Sequence, residues 1–410
     1  MSISFDVPPA IRAIISQYYT ALSSISPYVL LLSVVWLYFA GSFFFDVVHY
    51  LLHRCSKSTY RFIRKISDIH QVHHLYFNRR LEFNYKYHWH NLFVEIPLEL
   101  MCQFIGSVLA WLIVRALGGN GVGKLPREAL DVVLLVQAVR VLVVMAEQGH
   151  DSNHISYATV PKDPNWIIVG PEYHALHHVH PECYMGSAFR IFDWGMGLNS
   201  ALPSKRVTIT GATGAFGRAI KKELQREGVI CIQELKFGQD WSYDNYDKAI
   251  PTLANTDVLI LAHGSKGADA LHANCHSAIA LIDLFRQHRK SRPGFTLSIP
   301  EIWYTGSESE LHLSWGIPKM ERYSHSKRAF LPTARRLYDD PAIQYRHLVL
   351  AAFQSPMGKA IVSADWSAKV AMWWIRRGAR YVPVTYTGMA YLNMLKFMFW
   401  VRPEGKAKVV

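Results

Sequence analysis

The sequence of 410 residues contains few cysteines and no Cys-x2-Cys pair. Its five cysteines are scattered, which argues against a disulfide framework and a cysteine-type zinc site and indicates a reducing compartment. No basic segment precedes the first apolar run, so we expect no signal peptide. No recognised nucleic-acid-binding motif accompanies the net charge of +13, so nucleic acid is not an expected partner.

Acidic residues are also scarce, since 31 of them face 44 lysines and arginines. Apolar runs occupy residues 27–48, 92–114 and 129–149, each close to the length of a membrane span. The last two runs are joined by a glycine-rich loop at 118–128, and their alternative interpretation is a buried helix pair of a soluble protein. Basic residues between Arg54 and Lys86 follow the first run, so we expect this end to face the cytoplasm and anionic headgroups.

Histidine is abundant, and half of the 20 histidines form four clusters in the first 180 residues. Spacings of three and four residues place side chains on one helix face, so we expect each cluster to point at one site. The predicted spans bring all four clusters to the same side of the membrane. Imidazole suits iron, zinc and copper, and ten rings are enough for two ions. The candidate ligands are His49, His53, His70, His73, His74, His150, His154, His174, His177 and His178.

The character of the chain changes near residue 200. Pro203, Ser204 and Lys205 are typical of a linker, and the segment that follows alternates β-branched runs with an amphipathic helix. Residues 257–264 predict a further buried strand. This alternation predicts a doubly wound parallel sheet.

Two motifs in the second half indicate carbonyl–alcohol chemistry. Gly211, Gly214 and Gly217 lie between a predicted strand and a predicted helix, where glycines let the backbone approach a pyrophosphate. Tyr323 and Lys327 share one face of a predicted helix. We expect the lysine to lower the pKa of the tyrosine towards neutrality, which would make it an acid/base.

The first half, from about residue 30 to 200, resembles the fatty acid hydroxylase/sterol desaturase superfamily of integral membrane enzymes. The resemblance rests on the four clusters and on the segments EYHALHHVHPECYMG and FDWGMG. It implies a di-metal centre at the ten histidines, generally two iron ions, with zinc possible in a purified form. It also implies the use of oxygen and of an external electron donor, ferredoxin- or cytochrome-type, because no cytochrome domain is visible. Cys183-Tyr184-Met185-Gly186 departs from the family's usual Asn-Tyr-Gly.

The second half, from about residue 204 to 410, resembles the short-chain dehydrogenase/reductase family. The resemblance implies that Tyr323 moves the proton, that Lys327 holds the nicotinamide ribose, and that Ser309 or Ser307 polarises the carbonyl, with the spacing slightly favouring Ser309. Asn274 matches the family's helix asparagine. The implied cofactor-binding residues are Thr210, Gly211, Gly214, Phe216, Gly217, Asp240, Ala262 and Gly264. Glu234 would favour NAD and Lys236 would favour NADP, and both remain open.

We therefore expect a multi-domain protein: an all-α transmembrane histidine-box domain at 1–200, a linker at 201–205, and an α/β Rossmann-like domain at 206–410. The predicted function is a bifunctional membrane lipid oxidoreductase with both sites on the cytoplasmic face. It would combine di-iron hydroxylation or desaturation of a sterol or fatty chain with NAD- or NADP-dependent alcohol–carbonyl interconversion. The alternatives are a wax-aldehyde-processing, alkane-forming enzyme, a reductase whose histidine module is only a membrane anchor, and a non-enzymatic scaffold.

Overall fold

The computed structural model describes residues 8–118, 125–290, 298–311 and 316–405. Most of the predicted glycine-rich loop, 119–124, lies outside these ranges. The first half is helical, and its helices are α1 (Pro9–Ser23), α2 (Pro27–Cys55), α3 (Arg61–Tyr76), α4 (Tyr85–Leu117), α5 (Arg127–Ala146), α6 (Pro171–Val179) and α7 (Ile191–Met196). Within the described residues, α2, α4 and α5 are the helices long and apolar enough to cross a membrane.

The long helices α2 and α4 approach closely because glycines lie where they cross. A Cβ on Gly41 would lie 2.6 Å from the Gln103 carbonyl oxygen, and one on Gly106 would lie 2.5 Å from the Cβ of Phe44. Ser107 donates to the Leu37 carbonyl across the same contact. Small residues and interhelical hydrogen bonds are typical of helices that pack within a membrane.

In the described part of the second half, which is an α/β domain, six strands form one sheet and pair in parallel. The strand order is β2-β1-β3-β4-β5-β6. The strands are β1 (Arg206–Thr210), β2 (Cys231–Leu235), β3 (Val258–Leu261), β4 (Glu301–Ser307), β5 (Gln344–Leu350) and β6 (Tyr381–Val384). The central strands are rich in buried Val, Ile and Leu, as expected where helices cover both faces. The order reverses beside β1, where such sheets bind ligands at their carboxyl edge.

Helices cover both faces of this sheet. They are α8 (Ala215–Arg226), α9 (Ile250–Ala254), α10 (Ser277–His288), α11 (Pro318–Ala329), α12 (Leu331–Asp339), α13 (Ala364–Arg376) and α14 (Met389–Phe399). One apolar core packs under α8 and α13, and a second packs under α10, α12 and α14. The predicted fold class, a helical region followed by a doubly wound parallel sheet, is confirmed.

The segment between the halves is packed against the sheet domain. Leu202 is buried in the core beside Val207, within a short helical turn at Leu202–Ser204. The halves also contact at the amino-terminal edge of the sheet. There Lys162 donates to the Asp340 carbonyl over 2.7 Å, and the backbone amide of Asn199 donates to the Arg376 carbonyl. The boundary near residue 205 stays a prediction, but this linker is ordered rather than extended.

Candidate functional site

Nine of the ten predicted ligands come together in two adjacent groups. The first group contains His49 and His53 of α2, His70 and His74 of α3, and His177 of α6. The second group contains His73, His154, His174 and His178. Within each group the candidate ligand nitrogens lie within 4.8 Å of one another, and all nine rings are buried or half-buried.

The spacing of these nitrogens fits a metal ion. Neighbouring Nε2 atoms lie 3.1–3.2 Å apart in the first group and 3.0–3.3 Å apart in the second. Zinc–nitrogen bonds are about 2.1 Å long, so ligands at right angles lie about 3.0 Å apart and tetrahedral ligands about 3.4 Å apart. The observed separations are therefore those of ligands around a common ion.

Hydrogen bonds on the opposite side of the rings support the same conclusion. In five rings Nδ1 faces a carbonyl or carboxyl oxygen, which favours the tautomer with the proton on Nδ1 and a lone pair on Nε2. These pairs are His49 with Met185 O, His70 with Glu95 Oε1, His73 with Asn91 Oδ1, His154 with Asp151 Oδ1, and His177 with Cys183 O, at 2.7–3.1 Å. Converging lone pairs repel one another unless a cation lies between them.

Burial keeps the histidines of α3 neutral. It lowers the pKa of His70 and of His73 to about 3, so both rings are unprotonated at neutral pH. Neutral imidazole is the form that binds a metal. The residues thus fit two metal ions, and the donor set of imidazoles alone is compatible with iron and with zinc.

The expectation that each His-x2-His-His motif points at one site is wrong for both motifs. In the first motif, His70 and His74 contribute to the first group and His73 to the second. The reason is that residues four apart lie on one helix face while the third ring turns towards the neighbouring group. The α6 motif is divided in the reciprocal way, because His177 joins the first group.

His150 is the ligand candidate that joins neither group among the described residues. Helix α5 ends at Ala146 and the chain turns at Gly149, where φ is +81°, so His150 and His154 do not share a helix face. The ring of His150 instead lies 4.8 Å from that of Phe83. His154 is oriented by Asp151, three residues before it.

The second site lies at the carboxyl edge of the sheet, where the predicted glycine turn joins β1 to α8. Gly211 has φ +67°, and a Cβ on Gly217 would lie 2.1 Å from the Gly211 carbonyl oxygen, so both positions require glycine. Helix α8 begins without a side-chain cap and without an acidic residue in its first turn. A cleft of about 410 Å³ beside it is lined by Arg218, Lys221 and Lys222. An uncapped helix start with basic neighbours fits the phosphates of a dinucleotide.

The predicted catalytic residues lie next to this turn. Gly264 follows β3, and a Cβ there would lie 2.4 Å from Asn274 Oδ1 and 3.9 Å from Lys327 Nζ. Asn274, in the π-helical turn His272–His276, donates to the Ser265 carbonyl and to Ser326 Oγ. Tyr323 is hydrogen-bonded to Ser307. The glycine turn, Asn274, Lys327 and Tyr323 therefore form one continuous site.

The two serine candidates have different positions. Ser307 ends β4 and interacts with Tyr323, whereas Ser309 donates its hydroxyl to Ser307 over 3.0 Å. The contact with the tyrosine favours Ser307 for the carbonyl, although the spacing slightly favoured Ser309. Ser309 therefore positions the Ser307 hydroxyl through this hydrogen bond.

The expected lowering of the tyrosine pKa is not found in the protein without cofactor. Burial raises the pKa of Tyr323 to about 12, a hydrogen bond with Ser307 lowers it, and the charge of Glu310 raises it. Lys327 Nζ donates to the Thr305 carbonyl over 2.7 Å and lies 5.8 Å from the centre of the Tyr323 ring. Burial lowers the pKa of Lys327 itself to about 8.

The remaining cofactor candidates surround the turn in supporting positions. Thr210 is buried and bonds to His263, Phe216 is buried in the core, and Ala262 donates its amide to the Thr210 carbonyl. The side chain of Phe216 therefore packs, and only its backbone faces the turn. Asp240 accepts from the Lys236 amide over 2.8 Å and closes the loop after β2.

Sequence reasoning missed several residues that hold these sites. Glu310 is fully buried and accepts from the Ser307 amide, from His347 and from Asn393. No local pattern connects it to partners 37 and 83 residues away. Asp151 could have been found, because a carboxylate three residues before a predicted ligand is a common orienting partner.

Known proteins are similar to this chain at low identity. No protein-family model matches it. A monoglucosyldiacylglycerol epimerase from Synechocystis sp. is 27% identical over 370 residues, which cover 79% of this chain and 86% of the relative. A short-chain dehydrogenase from Burkholderia cenocepacia in complex with NADP is 15% identical, with 48% of this chain and 94% of that chain covered and a TM-score of 0.38. One from Sphingobium yanoikuyae in complex with NADPH is 15% identical, with 50% and 99% covered and a TM-score of 0.37.

The epimerase similarity extends over more of the chain than either half alone occupies. The nine converging histidines and the parallel sheet with its glycine turn agree with the two resemblances drawn from the sequence. The chain thus resembles a histidine-box helical region joined to a short-chain dehydrogenase/reductase domain.

Proposed function

We propose that this protein is a membrane lipid oxidoreductase whose sheet domain interconverts a hydroxyl and a carbonyl of a glycolipid with a nicotinamide cofactor. The observation that carries the proposal is the cluster of Tyr323, Ser307, Lys327 and Asn274 beside the glycine turn. A phenol bonded to a serine hydroxyl can hold a substrate oxygen between two hydroxyl groups. Such a pair suits proton transfer at a carbonyl oxygen.

Tyr323, Ser307 and Lys327 each have a separate role in the proposed reaction. Tyr323 donates a proton to the carbonyl oxygen during reduction and accepts it during oxidation, while Ser307 hydrogen-bonds the same oxygen. Because its pKa is about 12, Tyr323 is protonated at neutral pH and ready for reduction. Lys327 has a buried ammonium group that can bind the cofactor's ribose. The nicotinamide, when bound, supplies or accepts the hydride.

The glycolipid substrate is suggested by the epimerase relative. Inversion at a hydroxyl-bearing carbon requires removal of its hydrogen and return of a hydrogen to the opposite face. Oxidation to a ketone followed by reduction achieves this without net consumption of cofactor. One site with Tyr323 in both roles is sufficient for the sequence.

The test uses the full chain in vesicles that contain monoglucosyldiacylglycerol and a nicotinamide cofactor. We expect the lipid to appear with an epimerised sugar, and we expect Tyr323→Phe to slow this conversion by roughly 10²- to 10⁴-fold. Tyr391→Phe, on the exposed face of α14, is the matched control and keeps full activity. Wild-type activity that survives in Tyr323→Phe would contradict the proposal.

We further propose that the cofactor is NADP. Glu234, which would favour NAD, is paired with Lys221 over 2.6 Å, while the cleft beside the turn carries Arg218 and Lys222. These cations suit an additional phosphate. Titration with both reduced cofactors tests the preference, and tighter binding of NADH than of NADPH would contradict it.

For the histidine region we propose two metal ions, with iron as the working metal, and oxygen-dependent hydroxylation or desaturation of a lipid chain. The converging Nε2 atoms support metal binding. Bound iron would supply oxygen activation, with electrons from an external ferredoxin- or cytochrome-type donor.

Elemental analysis tests the metal binding, and lipid mass spectrometry tests the oxidation of a lipid chain. Two ions per chain without any oxidised lipid would leave the metals a structural role, and newly formed alkanes would favour aldehyde processing.

We propose that α2, α4 and α5 cross the membrane and that both sites face the cytoplasm. Basic residues occupy the last turn of α2 and the segment after it, at the end that carries His49 and His53; they include Arg54, Lys57, Arg61 and Arg64. The positive-inside tendency supports this orientation. Cysteine labelling of intact cells at exposed Cys231 tests it, and labelling from outside would contradict it.

A further inference from the structure

Two short segments of the first half expose large apolar side chains outside the three candidate spans. Trp166, Ile167 and Ile168 are 71%, 61% and 61% exposed, and Ile191, Trp194 and Met196 are also exposed. We call residues 166–168 and 191–196 the platform. Exposed apolar residues grouped in two neighbouring segments make this part of the surface a candidate interaction site.

The platform lies against α2 between Phe39 and Tyr50, and its Phe192 ring lies 5.7 Å from that of Tyr50, beside the ligand His49. Ile168 pairs with Phe189, and the Phe189 ring lies 5.5 Å from that of Phe39 in α2. Phe39 precedes His49 by ten residues, which corresponds to roughly 15 Å along a helix. If α2 crosses a bilayer, residues 166–168 therefore lie beside its membrane-embedded part, and residues 191–196 lie closer to its histidine-bearing end.

Further contacts hold the connecting segment in this position. The Ser187 amide donates to Asp46 of α2 over 2.8 Å, and the ring of Phe192 lies 5.8 Å from that of Phe43. Residues 167–169 also pair with residues 188–190, which lead into the second platform segment, because the Val169 amide donates to Ala188 O and the Arg190 amide to Ile167 O. Paired backbone groups are what a segment needs in order to enter an apolar environment.

The other end of the platform reaches the sheet domain. Trp194 lies 6.2 Å from Trp373 of α13 in an edge-to-face arrangement. The guanidinium of Arg377 stacks 3.8 Å above the Trp373 ring and donates to the Gly195 carbonyl over 3.2 Å. Tryptophan and arginine are suited to the headgroup level, where apolar surface meets anionic charge.

We propose that the platform is a non-spanning membrane contact, inserted into the bilayer interface beside α2, and that Trp373 and Arg377 hold the sheet domain at headgroup level. The partner is the lipid bilayer. The choice follows from continuity with α2 and from the charge of Arg377 at the edge. This proposal depends on the spans crossing a bilayer but not on either catalytic activity.

The test uses spin labels on the full chain in lipid nanodiscs. Labels at Ile167→Cys and Trp194→Cys, in a background without Cys55 and Cys231, are compared for relaxation by oxygen and by a water-soluble nickel chelate. Leu31→Cys on α2 is the lipid-facing reference. Ile361→Cys, an equally apolar position on the loop after β5, is the aqueous control.

We expect the oxygen-to-nickel ratio at positions 167 and 194 to approach that at position 31 and to exceed that at position 361 several-fold. A ratio equal to that at position 361 would overturn the proposal. Protection from both reagents would also overturn it, because a second copy of the chain or another protein would then cover the platform. The unmodified protein provides a second measurement, in which photoactivatable acyl chains should form adducts at 166–168 as well as on the spans. Adducts on the spans alone would count against the platform.

Discussion

The histidine region and the sheet domain prepare their sites to different degrees. The nine histidines come from α2, α3, α6 and the loop before α6, and carbonyl or carboxylate oxygens already hold five of the rings in the tautomer that binds metal. In the sheet domain, Tyr323 is protonated and Lys327 is directed to a backbone carbonyl. We therefore expect metal to determine the folding of the first region, and the cofactor to complete the chemistry of the second.

The two sites also differ in their place relative to the contact between the halves. The halves meet at the amino-terminal edge of the sheet, where Asp163 and Tyr184 line a small cavity with Glu301 and Arg346. Gly211 and Ser307 lie at the carboxyl edge. A lipid that is processed at both sites must therefore leave one before it reaches the other.

The largest effect is expected from removal of the metal. Because the unfolded chain does not hold the ions, their binding energy adds to the stability of the fold, on the order of 10 kcal/mol for a structural zinc ion. Chelation, or His177→Ala, should lower the thermal unfolding temperature of the helical region and reduce metal content. Calorimetry and elemental analysis measure both quantities. Equal stability with and without metal would remove the basis of the comparison.

Tyr323→Phe should reduce turnover by roughly 10²- to 10⁴-fold, since a positioned acid/base contributes about that much. The same variant should keep its metal content, because Tyr323 lies at the sheet's carboxyl edge. Product formation and elemental analysis on one preparation measure both effects. A simultaneous loss of metal would show that the regions are not independent.

Much of this comparison could be predicted from local patterns. The histidine clusters, the glycine turn and the Tyr323–Lys327 pair each lie within a few residues, so spacing alone revealed them. The division of His70 and His73 between two groups depends on how α3 packs against α6, and this was not readable from spacing. Likewise, the exclusion of His150 depends on where α5 ends, and Glu310 finds its partners only in the folded sheet.

Asp151→Asn should weaken the metal affinity of the second group by about 10- to 100-fold, as is typical for residues that orient a ligand. Asp151 holds the His154 ring over 2.7 Å, so the amide can present the wrong group to Nδ1. Competition with a chelator measures the affinity. The control is Asp68→Asn, an exposed position on the same helix as His70, which should leave the affinity unchanged.

The smallest effect is a dependence on pH through Lys327. Its pKa, lowered by burial to about 8, means that the ammonium form is lost as pH rises through 8. Activity that needs this charge should fall above pH 8. Stability should change in the opposite direction, rising between about pH 8 and 10.5, because there the unfolded chain binds the proton that the folded chain has released. Activity profiles and urea unfolding at matched pH measure the two trends, and Lys327→Met should remove the stability trend.

The most direct test of the central claim follows a deuterium atom at the reacting carbon of a glycolipid. The full chain is incubated in vesicles with monoglucosyldiacylglycerol deuterated at the sugar's hydroxyl-bearing carbons, in ordinary water, with a catalytic amount of the oxidised nicotinamide cofactor, which accepts the deuterium in the first step. Transfer through the cofactor predicts an epimerised lipid that retains deuterium at the inverted carbon, and at least about 100-fold slower product formation with Tyr323→Phe. Epimerised lipid that has exchanged this deuterium for solvent hydrogen, or is formed equally by Tyr323→Phe, would contradict the account.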